Sequence, residues 1–129
     1  IPPAQIEGKA ALFLEFEDRL TIFDTLVLCR FYRDLYQWDN LEKIIHALTG
    51  LDAGEEALRK RAADIATLVR RFNLREGMSK EDEWLSKGFF RKNEKTGDAI
   101  TPGELGQMLR EYYLLHGWDE NGVPPDDNK

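Results

Sequence analysis

The sequence predicts an all-α fold, a compact helical domain of four to five helices. Three observations predict it. Apolar residues recur at three- and four-residue steps in several separate stretches. Those stretches are bounded by glycines and by side-chain patterns that start helices. No stretch alternates apolar and polar residues with the period of two that a half-buried strand requires.

Pro2 and Pro3 make residues 1–5 an extended linker. Leu12, Phe16, Leu20, Phe23 and Val27 then mark one face of a first helix, its start weakened by Gly8 by about 1 kcal/mol relative to alanine. The aromatic-rich stretch 26–36 reads as a helix end, a turn and a restart. Trp38, Leu41, Ile44, Ile45 and Leu48 form a second stripe, started by Asp39 or Asn40 and capped at Gly50. The third and longest runs through Leu58, Ala62, Ile65, Val69 and Phe72. Asp52, Glu55 and Glu56 precede it, and Arg70, Arg71 and Arg75 follow before Gly77, as the helix dipole prefers.

Ser79 with Asp82 predicts the cap of a short helix carrying Trp84 and Leu85, ended by Gly88. After a polar loop, Thr101-Pro102-Gly103-Glu104 supplies N-cap, first-turn proline and capping-box glutamate for a helix bearing Leu105, Met108, Leu109 and Tyr112. Gly117 closes it, residues 119–129 read as an irregular tail, and 126–129 as frayed. The expected core is Phe16, Phe23, Leu41, Ile45, Ile65, Val69, Phe72, Leu109 and Tyr112, within a single domain spanning residues 1–129.

The 129 residues carry 18 lysines and arginines against 24 aspartates and glutamates, and a net charge of −6 disfavours nucleic acid and anionic lipid as partners. The longest apolar run, Ala10 to Leu14, is far short of the roughly 20 residues that cross a bilayer. One cysteine, Cys29, excludes an intrachain disulfide and fits a reducing, cytoplasmic setting. A start at Ile1-Pro2-Pro3 without methionine reads as a fragment of a longer chain.

No glycine-rich phosphate loop occurs. His46 reads as a helix-surface residue and His116 as a cation at a helix C-terminus. Asn93 to Glu104 has the outline of a calcium loop, but Lys95 stands where an oxygen donor is needed, and capping explains Thr101 and Glu104. The basic Arg59-Lys60-Arg61 and Arg70-Arg71 clusters read as a solvated face, and Glu81-Asp82-Glu83 as a helix first turn. On composition alone Cys29, beside Leu28 and Phe31, is a small buried hydrophobe.

Asp24-Thr25-Leu26-Val27-Leu28-Cys29 resembles the D-x-x-G-L-C motif in the C-terminal region of the tungsten-containing aldehyde ferredoxin oxidoreductases. Ala47-Leu48-Thr49-Gly50-Leu51-Asp52 resembles that family's A-x-T-G-x-D helix end. Leu68 to Gly77 is similar to its L-x-R-x-F-N-x-R-E-G stretch. Glu111-Tyr112-Tyr113, followed by Gly117-Trp118-Asp119-Glu120-Asn121-Gly122-Val123-Pro124, is similar to its YY and GWD-x-x-G-x-P signature. The four blocks keep their order from Asp24 to Pro124.

The resemblance implies the helical C-terminal domain of a larger enzyme that oxidises aldehydes to carboxylic acids and passes electrons to ferredoxin. It implies tungsten, or molybdenum, held by two pterin dithiolenes (the molybdopterin type) and a nearby 4Fe-4S cluster. Carried over by position, Asp24 would accept hydrogen bonds from a pterin and Cys29 would be the fourth thiolate of the cluster. Leu28, with Leu26 and Val27, would supply backbone whose amides approach the cofactor. One thiolate cannot hold a four-iron cluster, so the isolated domain is expected to carry no cofactor and to be inactive. Asp24 and Glu111 are proton-transfer candidates by residue type only.

Three departures accompany the resemblance. Val27 stands where the family has glycine, and a β-branched residue resists positive φ. Ala62-Ala63-Asp64 replaces the Gly-Glu-Arg of many members, and the leucine-rich ending is missing. Two alternatives follow: a helical interaction or scaffold domain that lost its site, for which Val27 is the argument, and a subunit of a related tungsten-dependent aromatic thioester reductase. Expected partners are the upstream domains, ferredoxin and the aldehyde. An apolar patch near Leu26 to Phe31 is expected to be exposed, where two copies could pair as a homodimer.

Overall fold

A computed structural model describes residues 1–2 and 5–126; residues 3 and 4 of the expected linker and 127–129 of the expected frayed end lie outside the described residues. Among the described residues there are four α-helices: α1 (Lys9–Thr25), α2 (Trp38–Thr49), α3 (Glu55–Arg75) and α4 (Pro102–Leu115). Short 3-10 turns stand at Arg30–Tyr32, Lys80–Glu83 and Lys87–Phe90. The described residues contain no strand, so the fold is all-α as expected. None of their helices is long and apolar enough to cross a membrane.

The helix ends follow local chemistry. Thr101 Oγ1 accepts the Glu104 N–H at 3.2 Å while the Glu104 carboxylate accepts the Thr101 N–H at 2.7 Å, with Pro102 in the first turn. Ser79 and Asp82 form the same reciprocal box, but they start only a 3-10 turn that ends at Glu83, and Gly88 lies inside the next turn instead of terminating a helix. Glu83 is bonded to Arg70 of α3, and the chain leaves the turn extended at Trp84. The start of α2 comes at Trp38, ahead of Asp39. Its end is Gly50, at φ 73°, whose N–H reaches the His46 carbonyl at 2.8 Å.

The chain divides into two compact units, Ile1–Leu14 with Val69–Lys129, and Glu15–Leu68. In the second, Ile22, Phe23, Trp38, Leu41, Ile45, Leu58 and Ala62 form the core, with Leu26, Leu28, Tyr36 and Ala53 packed against it. Phe23 and Leu41 are fully buried, and Tyr36 meets Phe23 edge-on at 5.8 Å. The Arg59 guanidinium lies over Trp38 at 4.7 Å and pairs with Glu55 at 2.8 Å, so the basic face of α3 is partly engaged instead of merely solvated.

The first unit buries Ala10, Leu105, Tyr113 and Trp118 together with a charged group, Arg70. Arg70, 6% exposed, donates to the Gly122 carbonyl at 2.7 Å and forks onto the Glu83 carboxylate at 2.6 and 3.0 Å. Tyr113 adds its hydroxyl to the same carboxylate at 2.7 Å, and the guanidinium lies 5.4 Å from the Tyr113 and Trp118 rings. Gly122 has φ 71°, and a Cβ there would run into the Arg70 guanidinium and come within 2.8 Å of the Tyr113 ring. Only glycine fits.

Of the expected core, Phe23, Leu41 and Ile45 are buried and Ile65, Leu109 and Tyr112 half-buried, whereas Phe16, Val69 and Phe72 are exposed. Periodicity shows which residues share a face, not whether anything covers it. Phe16 and Phe72 instead carry the guanidinium groups of Arg19 and Arg75, 5.3 and 5.2 Å away.

Candidate functional site

The last turn of α1 brings Asp24, Leu28 and Cys29 to one helix end. Three backbone bonds close it: Leu26 N–H to Ile22 O at 3.0 Å, Val27 N–H to Asp24 O at 3.1 Å, and Leu28 N–H to Phe23 O at 2.9 Å. The last two are the paired bonds of a Schellman cap, which requires a left-handed residue between them. That residue is Val27, at φ 57°, the one non-glycine with positive φ among the described residues. The valine adopts the conformation that its β-branch resists, at a cost of about 1–2 kcal/mol. Leu28, landing against the buried core, helps hold it there.

The cap corrects one expectation. The amides of Leu26, Val27 and Leu28 all donate into the helix end, so they are not open to a ligand. Leu28 acts through its side chain, as the anchor of the turn. Cys29 follows in extended conformation, φ −73° and ψ 120°, and its free thiol is exposed instead of buried as composition alone suggested.

Asp24 is also exposed. Its carboxylate receives Arg30 in a two-point fork, Nε to Oδ1 at 2.9 Å and a terminal nitrogen to Oδ2. The Arg30 hydrogen bond holds the Asp24 carboxyl below the usual carboxylate range, against a small opposing effect of burial. Sequence reasoning missed Arg30; the signal was an acid and an arginine on either side of a helix stop.

The other candidates lie elsewhere. Glu111, on α4, accepts the Gln107 side-chain amide at 2.9 Å. His46 Nδ1 meets Asp52 at 2.8 Å on the surface beside the α2 cap, and His116 stacks on Trp118 with ring centroids 4.3 Å apart. In the loop with the calcium-site outline, Asn93 Oδ1 accepts the Lys95 and Thr96 amides, and Glu104 is engaged in the α4 cap. The described residues contain no group of three or more metal-ligating side chains.

Three of the four sequence blocks are accounted for by architecture. Arg70, Tyr113, Trp118 and Gly122, from the third and fourth, meet in one buried network, and Thr49-Gly50 of the second ends α2. The first block alone ends in an exposed thiol.

Residues 1–128 match the family model described as aldehyde ferredoxin oxidoreductase, domains 2 and 3. The chain is 31% identical over 123 residues to the tungsten-containing aldehyde ferredoxin oxidoreductase of Thermococcus kodakarensis, covering 92% of this chain and 20% of that protein. It is 29% identical over 125 residues to the protein of that name from Pyrococcus furiosus, covering 94% and 20%. The chain thus spans about a fifth of the length of these relatives. With a match along nearly its whole length, the chain belongs to the aldehyde ferredoxin oxidoreductase family.

Proposed function

We propose that this chain is the C-terminal helical part of an enzyme that oxidises aldehydes to carboxylic acids and delivers the electrons to ferredoxin. Its share of the work is to present Asp24 and Cys29 from the end of α1. The observation that carries this reading is the exposed Cys29 thiol directly after a closed helix cap, with an ionised carboxylate five residues earlier.

The donor set fits the groups that the family implies. A lone exposed thiol is the right type for one corner of a 4Fe-4S cluster, three further ligands coming from elsewhere in the polypeptide. An accessible carboxylate is the right type for the N–H donors of a pterin. When bound, the tungsten pterin supplies two-electron chemistry and the cluster carries electrons singly toward ferredoxin. The residues of this chain hold and orient: Cys29 as ligand, Asp24 as hydrogen-bond acceptor, Leu28 as the anchor that fixes the turn.

The turn closes with valine in the glycine position, so Val27 does not prevent this end of α1 from forming. Val27 and Phe31 are 90% and 92% exposed, which supports a face covered by the remainder of the polypeptide, given that the relatives are about five times longer. The test is aldehyde-dependent reduction of ferredoxin by the full-length protein, purified without oxygen, with tungsten measured alongside. Reduction with tungsten present is expected; a protein that binds neither metal nor reduces ferredoxin would favour the scaffold alternative.

A further inference from the structure

The fork between Arg30 and Asp24 spans the left-handed turn that separates the two proposed site residues, and Arg30 directly follows Cys29. Both side chains are more than half exposed, 59% and 54%. So exposed a pair adds little to folding stability. What it does impose is orientation. A planar guanidinium bound through two nitrogens fixes the carboxylate plane, which a lysine, a point charge on a flexible stem, cannot do.

Asp24 also stands in the last turn of α1, where the negative end of the helix dipole disfavours a carboxylate. The Arg30 cation offsets that repulsion. A carboxylate has about four lone-pair positions, and the fork occupies one on each oxygen, leaving one on each for a further N–H donor. The fork therefore shapes the carboxylate without saturating it.

We propose that Arg30 is a positioning residue: it holds the Asp24 carboxylate oriented, so that its remaining lone pairs can receive the N–H groups of the pterin. The inference rests on the reading of Asp24 given above. Arg30 does not touch the reacting atoms; it acts through Asp24.

The test uses the full-length protein purified without oxygen, with Arg30→Gln and Arg30→Lys variants. The readouts are pterin per chain, measured by fluorescence after oxidation, iron per chain, and the thermal midpoint. Arg30→Gln is expected to lower pterin roughly tenfold or more, as loss of a partner behind a ligating group does. Iron and thermal midpoint stay at parent values, and Arg30→Lys recovers only part of the pterin. Unchanged pterin in Arg30→Gln overturns the inference, as does complete recovery by lysine. Joint loss of pterin, iron and thermal midpoint also overturns it, by showing a merely structural role. A parent protein without pterin would instead overturn the underlying reading of Asp24, and this inference with it.

Discussion

The Leu28 N–H donates to the Phe23 carbonyl at 2.9 Å, and that bond closes α1 over a residue, Val27, whose side chain opposes the conformation the bond requires. The same paired bonds close α3 around Gly77, where Met78 N–H reaches Asn73 O at 2.9 Å, and α4 around Gly117, where Trp118 N–H reaches Tyr113 O at 2.9 Å. Three helices thus share one cap, and only the cap at the proposed site is built on a strained residue.

Replacing that residue should stabilise the chain. Val27→Gly relieves about 1–2 kcal/mol of left-handed strain, against roughly 0.5–1 kcal/mol of added freedom in the unfolded chain. The 90% exposed valine loses little burial. A gain of about 0.5–1 kcal/mol is expected, a thermal midpoint higher by roughly 2–5 °C by circular dichroism. A lower midpoint would mean that α1 does not end in this cap.

The Arg70 and Glu83 side chains are 7% and 11% exposed, so breaking this pair strands a charge away from water. Glu83→Ala should cost about 3–5 kcal/mol in urea unfolding, whereas exposed Lys43→Ala, whose partner Asp39 lies in solvent, should change stability by less than about 1 kcal/mol. Equal effects would show that the network is not buried.

Tyr113 gives the network a pH signature. Burial, then its bond to the Glu83 carboxylate, pushes its hydroxyl from 10.0 up to about 12. A pKa higher in the folded than in the unfolded chain contributes stability that is present below pH 10 and lost as pH rises toward 12. The parent should lose stability over that window more steeply than Tyr113→Phe. The difference in absorbance at 295 nm between the two should show a phenol titrating near 12. Parallel stability profiles would contradict the Tyr113 bond to Glu83.

Much of this architecture was legible because it is local. The Thr101 and Glu104 box, the glycine stops at 50, 77 and 117, and the stripe that buries Leu41 and Ile45 are set by neighbours a few residues apart. The Arg70 network was not, because its partners are 13, 43 and 52 residues away and no periodicity encodes such pairing. Glu83 read as part of a helix first turn, and in the YY pair the stripe pointed to Tyr112 whereas Tyr113 is the buried member. At the candidate site, the spacing of Asp24 and Cys29 was visible in the sequence. The fork to Arg30 and the donation of the Leu26 to Leu28 amides required coordinates, because both depend on how the chain turns after α1.

The most direct test of the central claim is iron per chain, with the electron paramagnetic resonance of the reduced sample, in full-length Cys29→Ser beside the parent. The proposed role of Cys29 predicts about four irons in the parent and loss of iron, or an altered cluster signal, in the variant. Iron content and spectrum unchanged by Cys29→Ser would contradict it.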